Sequence, residues 1–356
     1  MNSHRRKATE GGLSRGAAEQ HRAWSVERGT EGAPLGDLIR IGSRGSRLAL
    51  VQAEWVRDRV AERHPDLGVE IEIINTKGDK LLDAPLAKIG DKGLFTKELE
   101  AALLDGRIDV AVHSAKDMPT AVPDGLAIIA FTEREDVHDV FVANPALVEG
   151  RGGRSFGLDD VPQGARVGSS SLRRRSQLLA LRPDLDVVDI RGNVETRMRK
   201  VVEEDMAGTI LAAAGLSHLG RSDAVTFAFD FDQMLPAVGQ GALAIEARAD
   251  HPRLSELRAA LDHPPTALAV MAERALLGTL EGGCQVPIAA HARREDGGDG
   301  TGTLALTAYV GSLDGTRAVR GENARAADDP EGLGTSLAAE LLTRGAGEIL
   351  DEIRTP

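Results

Sequence analysis

LIRIGSRGSRLALVQAEWVRDRVAER, residues 38–63, is the stretch that decides the fold. Its first five residues alternate as a short strand does, and Ser46 is a residue type that caps helices. Apolar residues at helical spacing then continue to about Arg63. The stretch therefore predicts a strand followed directly by an amphipathic helix, which is the repeating unit of α/β proteins.

The same alternation recurs along the chain. In the first half it predicts strands at 69–73 and 108–112 and a helix over 94–104. After a Gly-rich stretch at 150–164 it predicts a second α/β domain, with strands at 166–167, 186–190 and 209–213. Residues 242–247 form one more predicted strand, which we expect to return to the first sheet.

From Asp262 the pattern changes to a small α+β domain. It predicts a long helix over 266–280, strands near Ile288 and Leu304, a turn at Leu313-Asp314-Gly315 and a final helix. Residues 1–36 lack hydrophobic periodicity and are predicted to be a disordered extension. The expected domains are 37–135 with 238–260, then 136–237, then 261–356.

Composition excludes several classes of protein. At 356 residues the chain is long enough for two or three domains, and no apolar run is long enough to span a bilayer. A net charge of -12 and an aromatic content of 3% argue against nucleic acid as a partner. A single cysteine excludes an internal disulfide and fits a reducing compartment, so we expect a cytoplasmic protein.

Four predicted strands end in polar segments, where open α/β sheets bind their ligands. Serines at helix N-termini and guanidinium groups suit carboxylate or phosphate oxygens, so these segments together predict a site for several anions. For any one segment, capping serines and solvated arginines explain the residues equally well. Phosphate is disfavoured, because no Walker or dinucleotide-binding glycine motif stands at a strand-helix junction. The segments are Ser43 to Ser46, His113 to Asp117, Gly168 to Arg175, and Arg191 to Asn193 with Arg197.

Two single residues have chemical potential. Asp117 follows Lys116 after a buried strand, so it could be a carboxylate in a partly dry pocket that stabilises a cation, although capping of the turn explains it as well. Cys284 lies on a glycine turn, EGGCQVP, where a thiol is plausibly exposed, although a lone cysteine is more often inert. The histidines show no metal-binding spacing, and we expect no metal.

Seven motifs in order resemble the hydroxymethylbilane synthase (porphobilinogen deaminase) family. They span the chain from about Leu38 onward, which makes the set far more specific than any one motif. The motifs are RIGSRGSRLALVQA, LAKIGDKGLFTKELE, DVAVHSAKDMP, VGSSSLRRRSQL, IRGNVETR, LPAVGQGALAIE and EGGCQVP.

The resemblance implies two α/β domains like a type 2 periplasmic binding protein around a cleft, a small third domain, and a transferase that is a monomer. It implies that Cys284 holds a dipyrromethane cofactor through a thioether and that Asp117 is the catalytic carboxylate. Each porphobilinogen would lose ammonia to give a cationic azafulvene, which the growing chain attacks; four rounds and a hydrolysis would release a linear tetrapyrrole.

By the same resemblance, further residues hold carboxylates of the cofactor and substrate. The expected cofactor ligands are Ser114, Lys116, Ser169, Ser171, Arg173, Arg174, Arg191 and Asn193. The expected substrate ligands are Arg44, Ser46, Arg197 and His218, with Lys88, Lys92 and Phe95 on a loop over the cleft. His218 is a departure, because the family usually has arginine there, and a neutral imidazole is a weaker partner for a carboxylate.

Two other functions compete with the enzyme. A two-domain cleft lined by arginines could bind a dicarboxylate without transforming it, in which case Cys284 would have no use. The Arg173-Arg174-Arg175 cluster could bind DNA, which predicts steep salt dependence of the affinity. The acidic charge balance disfavours the second alternative.

Overall fold

Two five-stranded sheets and a three-stranded sheet form the framework of the computed structural model, which describes residues 38–76, 96–149, 154–280, 286–295 and 302–354. The strands are β1 (Leu38–Ser43), β2 (Gly68–Ile73), β3 (Val110–Ser114), β4 (Leu126–Phe131), β5 (Asp139–Ala143), β6 (Arg166–Gly168), β7 (Asp186–Val188), β8 (Gly208–Ala212), β9 (Phe227–Ala228), β10 (Leu243–Arg248), β11 (Ile288–Glu295), β12 (Thr303–Gly311) and β13 (Ala318–Ala326). The helices are α1 (Arg47–Arg63), α2 (Lys97–Leu104), α3 (Pro145–Val148), α4 (Leu172–Leu181), α5 (Val194–Glu203), α6 (Ala213–His218), α7 (Leu254–Leu261), α8 (Pro264–Thr279), α9 (Pro330–Leu341) and α10 (Gly347–Arg354).

The two five-stranded sheets have the same topology. The first has the order β2-β1-β3-β10-β4 and the second the order β7-β6-β8-β5-β9. In each sheet the first three strands are parallel, and the fourth, β10 or β5, runs antiparallel to both neighbours. In each sheet the chain enters the fourth strand directly from the other sheet. The two lobes are therefore connected by residues 132–138, the first crossing, and 229–242, the second crossing. The predicted pair of α/β lobes and the return of 242–247 to the first sheet are confirmed.

The first lobe begins as its sequence predicts. Ile39 and Ile41 of β1 are buried, and the Ser46 hydroxyl accepts a hydrogen bond from the backbone N–H of Ala49 at 3.3 Å, which caps α1. Gly42 is required by close packing, since a Cβ there would lie 2.2 Å from Cδ1 of Ile108. The strand and helix of the opening stretch are therefore confirmed.

One strand prediction was two residues out of place. The apolar run 108–112 predicted a strand, but β3 covers Val110–Ser114. Ile108 is fully buried in the cluster with Leu99 and Leu103 of α2, outside the ladder of strand hydrogen bonds. Hydrophobicity located the buried residues correctly and could not distinguish packing under a helix from pairing in a sheet.

The third sheet is an antiparallel meander, β11-β12-β13, covered by helices. Its core joins Leu304 and Leu306 of β12 to Leu276 of α8 and Leu337 of α9. The predicted turn at 313–315 lies between β12 and β13, and the predicted α+β class of this region is confirmed. The precise domain boundaries remain predictions. None of the helices in the described residues combines the length and the apolar character needed to cross a membrane.

Candidate active site in the cleft between the lobes

A cavity of about 110 Å³ lies between the two lobes and brings together six residues that the sequence singled out. The first lobe contributes polar side chains from the ends of β1 and β3, and the second lobe contributes small residues and an imidazole from β8 and α6. Both sheets thus present the carboxyl ends of parallel strands to one space, as the sequence analysis expected. The six predicted residues are Arg44, Ser46, Ser114, Lys116, Asp117 and His218.

Asp117 ends a single turn of 3-10 helix that directly follows β3. Its side chain is exposed, and among the described residues its carboxylate accepts no hydrogen bond. The capping interpretation is therefore not supported, since the turn is closed by the backbone bond from Met118 N–H to Ala115 C=O. The expectation of a partly dry pocket also differs from the described structure, because the turn carries the carboxylate past the buried strand into the cleft.

The turn that carries Asp117 packs against the second crossing, residues 229–242. Gly239 has a φ of +72°, and a Cβ there would lie 3.0 Å from Cβ of Ala115 and 3.2 Å from the backbone nitrogen of Lys116. Only glycine combines this left-handed backbone with so close an approach. The connection between the lobes and the turn thus fit together without space for a side chain.

Lys116 is a cation in an unfavourable environment. Burial and the nearby Arg174 lower the pKa of Lys116 to about 8, although Asp117 and Asp139 oppose the shift. The ammonium group donates a long hydrogen bond to Oε1 of Gln240 at 3.5 Å. An anion bound beside Lys116 would raise this pKa again, so the site favours negatively charged ligands.

Arg173 and Arg174 lie away from this cavity, in a buried ion-pair network. Nη1 of Arg173 is 2.5 Å from Oδ2 of Asp139, and Nη2 of Arg174 is 2.7 Å from Oδ1 of the same carboxylate. Nη1 of Arg173 also donates to the carbonyl of Leu235, and Nη1 of Arg174 donates to the carbonyl of Ile210. The interpretation of these arginines as a solvated face is wrong, because they are 5% and 6% exposed. Their predicted role as cofactor ligands remains a prediction.

The structure does not support the Arg173-Arg174-Arg175 cluster as a DNA-binding surface. Arg173 and Arg174 are buried, and Arg175 donates to the carbonyls of Val187 and Leu313. A polyanion-binding surface needs cations that reach solvent phosphates. These three arginines instead connect α4 to neighbouring parts of the fold.

Asp139 is the residue that makes the burial of two arginines possible. Burial alone would raise the pKa of Asp139, but Arg173 and Arg174 outweigh it and hold this pKa well below its ordinary value. Oδ1 also accepts a hydrogen bond from Nε2 of Gln240 at 3.0 Å. Lys116, Gln240 and Asp139 thus form a polar connection from the cleft to the second lobe.

Three predicted anion ligands accept backbone hydrogen bonds, and two of them, Ser171 and Asn193, are helix N-caps. The Ser171 hydroxyl accepts from the Arg174 N–H at 3.4 Å, and the Asn193 side chain accepts from the Thr196 N–H at 2.9 Å. The Ser169 hydroxyl accepts from the Ser171 N–H at 3.4 Å. The capping interpretation of the serines is confirmed for Ser171 and not for Ser169. Ser169 and Ser171 line a separate cavity against Leu313, and their contact with a ligand remains a prediction.

Arg197 extends the positive charge of the site. Its Nε donates to the carbonyl of Gly192 at 2.8 Å. Burial and the charges of Arg174 and Arg191 lower the pKa of Arg197 to about 10, although Asp117 opposes the shift. Arg197 is therefore cationic at neutral pH. Bound carboxylates would offset its electrostatic repulsion by Arg174 and Arg191.

His218 lies at the C-terminal end of α6 and lines the cavity from the second lobe. Burial lowers the pKa of His218, although Glu135 opposes the shift. The lowered pKa favours the neutral imidazole, and its role toward a carboxylate remains a prediction.

Four predicted site residues lie outside the described residues. They are Lys88, Lys92 and Phe95 of the expected loop and Cys284 of the expected cofactor attachment. Within the described ranges, no group of three or more His, Cys, Asp or Glu side chains could hold a metal ion.

Sequence analysis missed three buried polar residues around the site: Asp139, Gln240 and Glu246. Asp139 carried a usable signal, since an aspartate within the apolar run VHDVFVA is costly to bury unless it is paired. Gln240 and Glu246 are in the quoted motif LPAVGQGALAIE, and His113 is in a predicted polar segment but was given no chemical role. Their partners come from distant parts of the chain, so no local pattern identifies them.

Comparison with known proteins gives a consistent result. The family described as "Porphobilinogen deaminase, dipyromethane cofactor binding domain" matches residues 39–256, and "Porphobilinogen deaminase, C-terminal domain" matches 267–343. The porphobilinogen deaminase of Desulforudis audaxviator is 53% identical over 89% of this chain and 98% of its own length. That of Geobacter sulfurreducens is 51% identical over 88% of this chain and 94% of its own length.

Among solved structures, the BvgS VFT2 domain of Bordetella pertussis is similar over 63% of this chain and 86% of its own. The TM-score is 0.37 and the identity 17%, so nothing is inferred from this likeness.

Proposed function

Since this chain belongs to the porphobilinogen deaminase family, we propose that it is a hydroxymethylbilane synthase. In this reaction four porphobilinogen molecules lose ammonia and are joined on a dipyrromethane primer, and hydrolysis releases a linear tetrapyrrole. One observation carries the proposal: a carboxylate, Asp117, lines the cleft together with the cations Arg44 and Lys116.

The charges around the cleft fit a dipyrromethane with its acetate and propionate groups. Lys116 and Arg197 both have lowered pKa values, and other cations contribute to each shift. Bound carboxylates would oppose these shifts, and oriented cations bind carboxylates well. When bound, the dipyrromethane supplies the free pyrrole carbon to which the next ring is added. Lys116, Arg44 and Arg197 are the described side chains that we assign to holding its carboxylates and those of the substrate.

Asp117 is assigned to charge stabilisation. Porphobilinogen becomes cationic as its carbon–nitrogen bond breaks, and a carboxylate fixed nearby lowers the energy of that state more than the energy of the neutral ground state. Because Asp117 accepts no hydrogen bond among the described residues, both of its oxygens are available to pyrrole N–H groups. The rigid packing of its turn against Gly239 keeps the carboxylate in place during the reaction.

We also propose that the cofactor is attached through a thioether to Cys284. The cysteine follows α8 by five residues, and α8 is anchored to the Asp117 turn. Nη2 of Arg274 donates to the carbonyls of Pro119 and Thr120, at 2.8 and 3.1 Å. The helix that precedes the cysteine is thus joined to the segment that follows the catalytic carboxylate. From the family resemblance and the single cysteine we further propose a monomer in the cytoplasm.

The test is the intact mass of the purified, denatured protein together with turnover of porphobilinogen. We expect one dipyrromethane above the sequence mass and a linear tetrapyrrole as product. Cys284→Ser should lack both the adduct and the activity, while Asp124→Asn, an exposed change in the first lobe, should retain both. An unmodified protein that binds porphobilinogen without consuming it would support the dicarboxylate-binding alternative instead.

A further inference from the structure

A buried histidine–carboxylate pair borders the cleft and has no part in the function described so far. Nε2 of His113 is 3.1 Å from Oε2 of Glu246, and the two side chains are 4% and 0% exposed. His113 lies on β3 and Glu246 on β10, the strand that returns from the second crossing. His113 nevertheless lines the same cavity as Asp117 and Lys116.

The pairing determines which nitrogen of His113 can act as a base. A carboxylate at Nε2 favours the tautomer that carries its proton on Nε2, which leaves the lone pair on Nδ1. Among the described residues, Nδ1 has no hydrogen-bond partner. A buried carboxylate that orients an imidazole toward a reaction site is the arrangement that general-base histidines use in unrelated enzymes.

A second carboxyl group lies behind the pair. Burial raises the pKa of Glu100 on α2, and the negative charge of Glu246 raises it further, although Thr96, His113 and Lys97 oppose the shift. Oε1 of Glu100 and Oε1 of Glu246 are both buried without a hydrogen-bond partner among the described residues. A proton on Glu100 removes the cost of burying two like charges together.

Other charged groups complete the surroundings of the pair. Arg274 on α8 interacts electrostatically with Glu246, and Lys116 and Asp117 follow His113 on the next turn. The pair is thus buried beside groups of both charges, and His113 lines the cleft.

We propose that His113, oriented by Glu246, is the proton acceptor for each ring addition. The inference rests on the proposed function and deepens it. The carbon–nitrogen bond of porphobilinogen breaks first and releases ammonia, and the new carbon–carbon bond then forms at the attacking pyrrole carbon. His113 accepts at Nδ1 the proton that this carbon loses, and the C–H electron pair restores the aromatic ring. His113 then gives the proton to ammonia, which leaves as ammonium.

A separate acceptor solves a chemical problem at Asp117. The carboxylate must remain negative to stabilise the cation of each round, and it loses that ability while it holds a proton. Four additions in succession require four such proton removals. With His113 as acceptor, Asp117 keeps its charge throughout.

The first experiment compares His113→Gln with His251→Gln in the cofactor-loaded enzyme. Glutamine can still donate to Glu246 from the position of Nε2, but it provides no base. We expect kcat to fall about 100-fold with KM within about threefold, because general-base catalysis contributes at least this much. His251 is a matched control, since it is 7% exposed and is paired with Asp109 outside the cavity. Its variant should match His113→Gln in thermal stability and keep wild-type kcat.

Two readouts separate a base from a structural residue. Added imidazoles should restore turnover to His113→Ala in proportion to their basicity, which a packing defect does not predict. In the wild-type protein, ¹⁵N NMR of the histidine rings should show His113 with its proton on Nε2, independently of activity. In native mass spectra all four additions should slow equally.

Wild-type kcat in His113→Gln, or a proton on Nδ1, would overturn the assignment while a working wild-type enzyme leaves the proposed function intact. A wild-type protein that forms no tetrapyrrole would instead defeat the proposed function itself.

Discussion

Two groups of cations near the cleft differ in how their charge is offset. Arg173 and Arg174 share the carboxylate of Asp139, and all three side chains are buried. Lys116 and Arg197 are influenced mainly by burial and by other cations, which lower their pKa values. The first group is bonded to a carboxylate within the fold and keeps one net positive charge, whereas burial and neighbouring arginines make the charged forms of the second group less favourable.

The difference indicates two functions for residues of the same chemical type. A buried arginine bonded to a carboxylate fixes the geometry of the fold, and a cation at a cleft raises the affinity for an anion. Gln240 connects the groups, since its side chain accepts from Lys116 and donates to Asp139. Variants of the first group should therefore lose stability, and variants of the second group should bind carboxylates less well.

Asp139→Asn should have the largest effect, because it leaves two buried guanidinium groups without their carboxylate. Removal of one partner from a buried ion pair costs about 3–5 kcal/mol of the free energy of unfolding, which urea denaturation measures. Glu203→Asn, which removes an exposed partner of Arg199, should change it by less than about 0.5 kcal/mol. Similar losses for both variants would mean that the Asp139 network stabilises no more than a surface pair.

Asp117→Asn should leave stability unchanged and remove nearly all turnover. The amide has the size of the carboxylate but cannot stabilise a cation, and loss of a preorganised electrostatic group costs about 100-fold or more in rate. Steady-state kinetics and urea denaturation on the same preparation would show the separation. Turnover within a few-fold of wild type would show that Asp117 is not the catalytic carboxylate.

Arg197→Leu and Arg173→Leu should arrest the enzyme differently. Arg197→Leu should fold, acquire the cofactor and slow later ring additions, because it removes a carboxylate-binding cation. Arg173→Leu should be destabilised and poor in cofactor, because Asp139 loses a partner. Native mass spectra after addition of porphobilinogen resolve each bound ring, and identical distributions for the two variants would contradict the division into two groups.

Lys116→Met should stabilise the protein at neutral pH, in contrast to the arginine variants. The folded-state pKa of Lys116, about 8, is below its ordinary value of 10.5, so the unfolded chain binds the proton more tightly. The wild type therefore bears the full cost of the buried ammonium below pH 8 and recovers stability as the pH rises from 8 to 10.5. The advantage of the variant should be on the order of 1–2 kcal/mol at pH 7 and shrink by pH 10. An advantage that does not vary with pH would reflect packing alone.

His218→Arg should have the smallest effect. The imidazole already lines the cavity, and burial keeps it neutral. A guanidinium at this edge should lower KM for porphobilinogen by a few-fold at most and leave kcat unchanged. An increase in KM would show that this part of the pocket does not meet a carboxylate.

Much of the fold followed from local patterns. The alternation at 38–42, the capping serine at position 46 and the apolar strand at 242–247 predicted elements that the structure contains. These signals are local, because strand and helix periodicity and N-cap chemistry depend on residues a few positions apart. The edge of β3 was misplaced by two residues, since burial of Ile108 arises from contact with α2.

The sequence by itself determined the classes of element, the polar strand ends and, through seven motifs, the family. It also identified the residue types that a cationic intermediate and several carboxylates require. Only the tertiary structure decided which cations are bonded to a carboxylate of the fold. Arg173 and Arg174 follow the capping Ser171 within three residues, yet both are bonded to Asp139, more than 30 residues away. The pairing of His113 with Glu246 likewise joins strands that are 133 residues apart, and a partner at that distance leaves no local trace in the sequence.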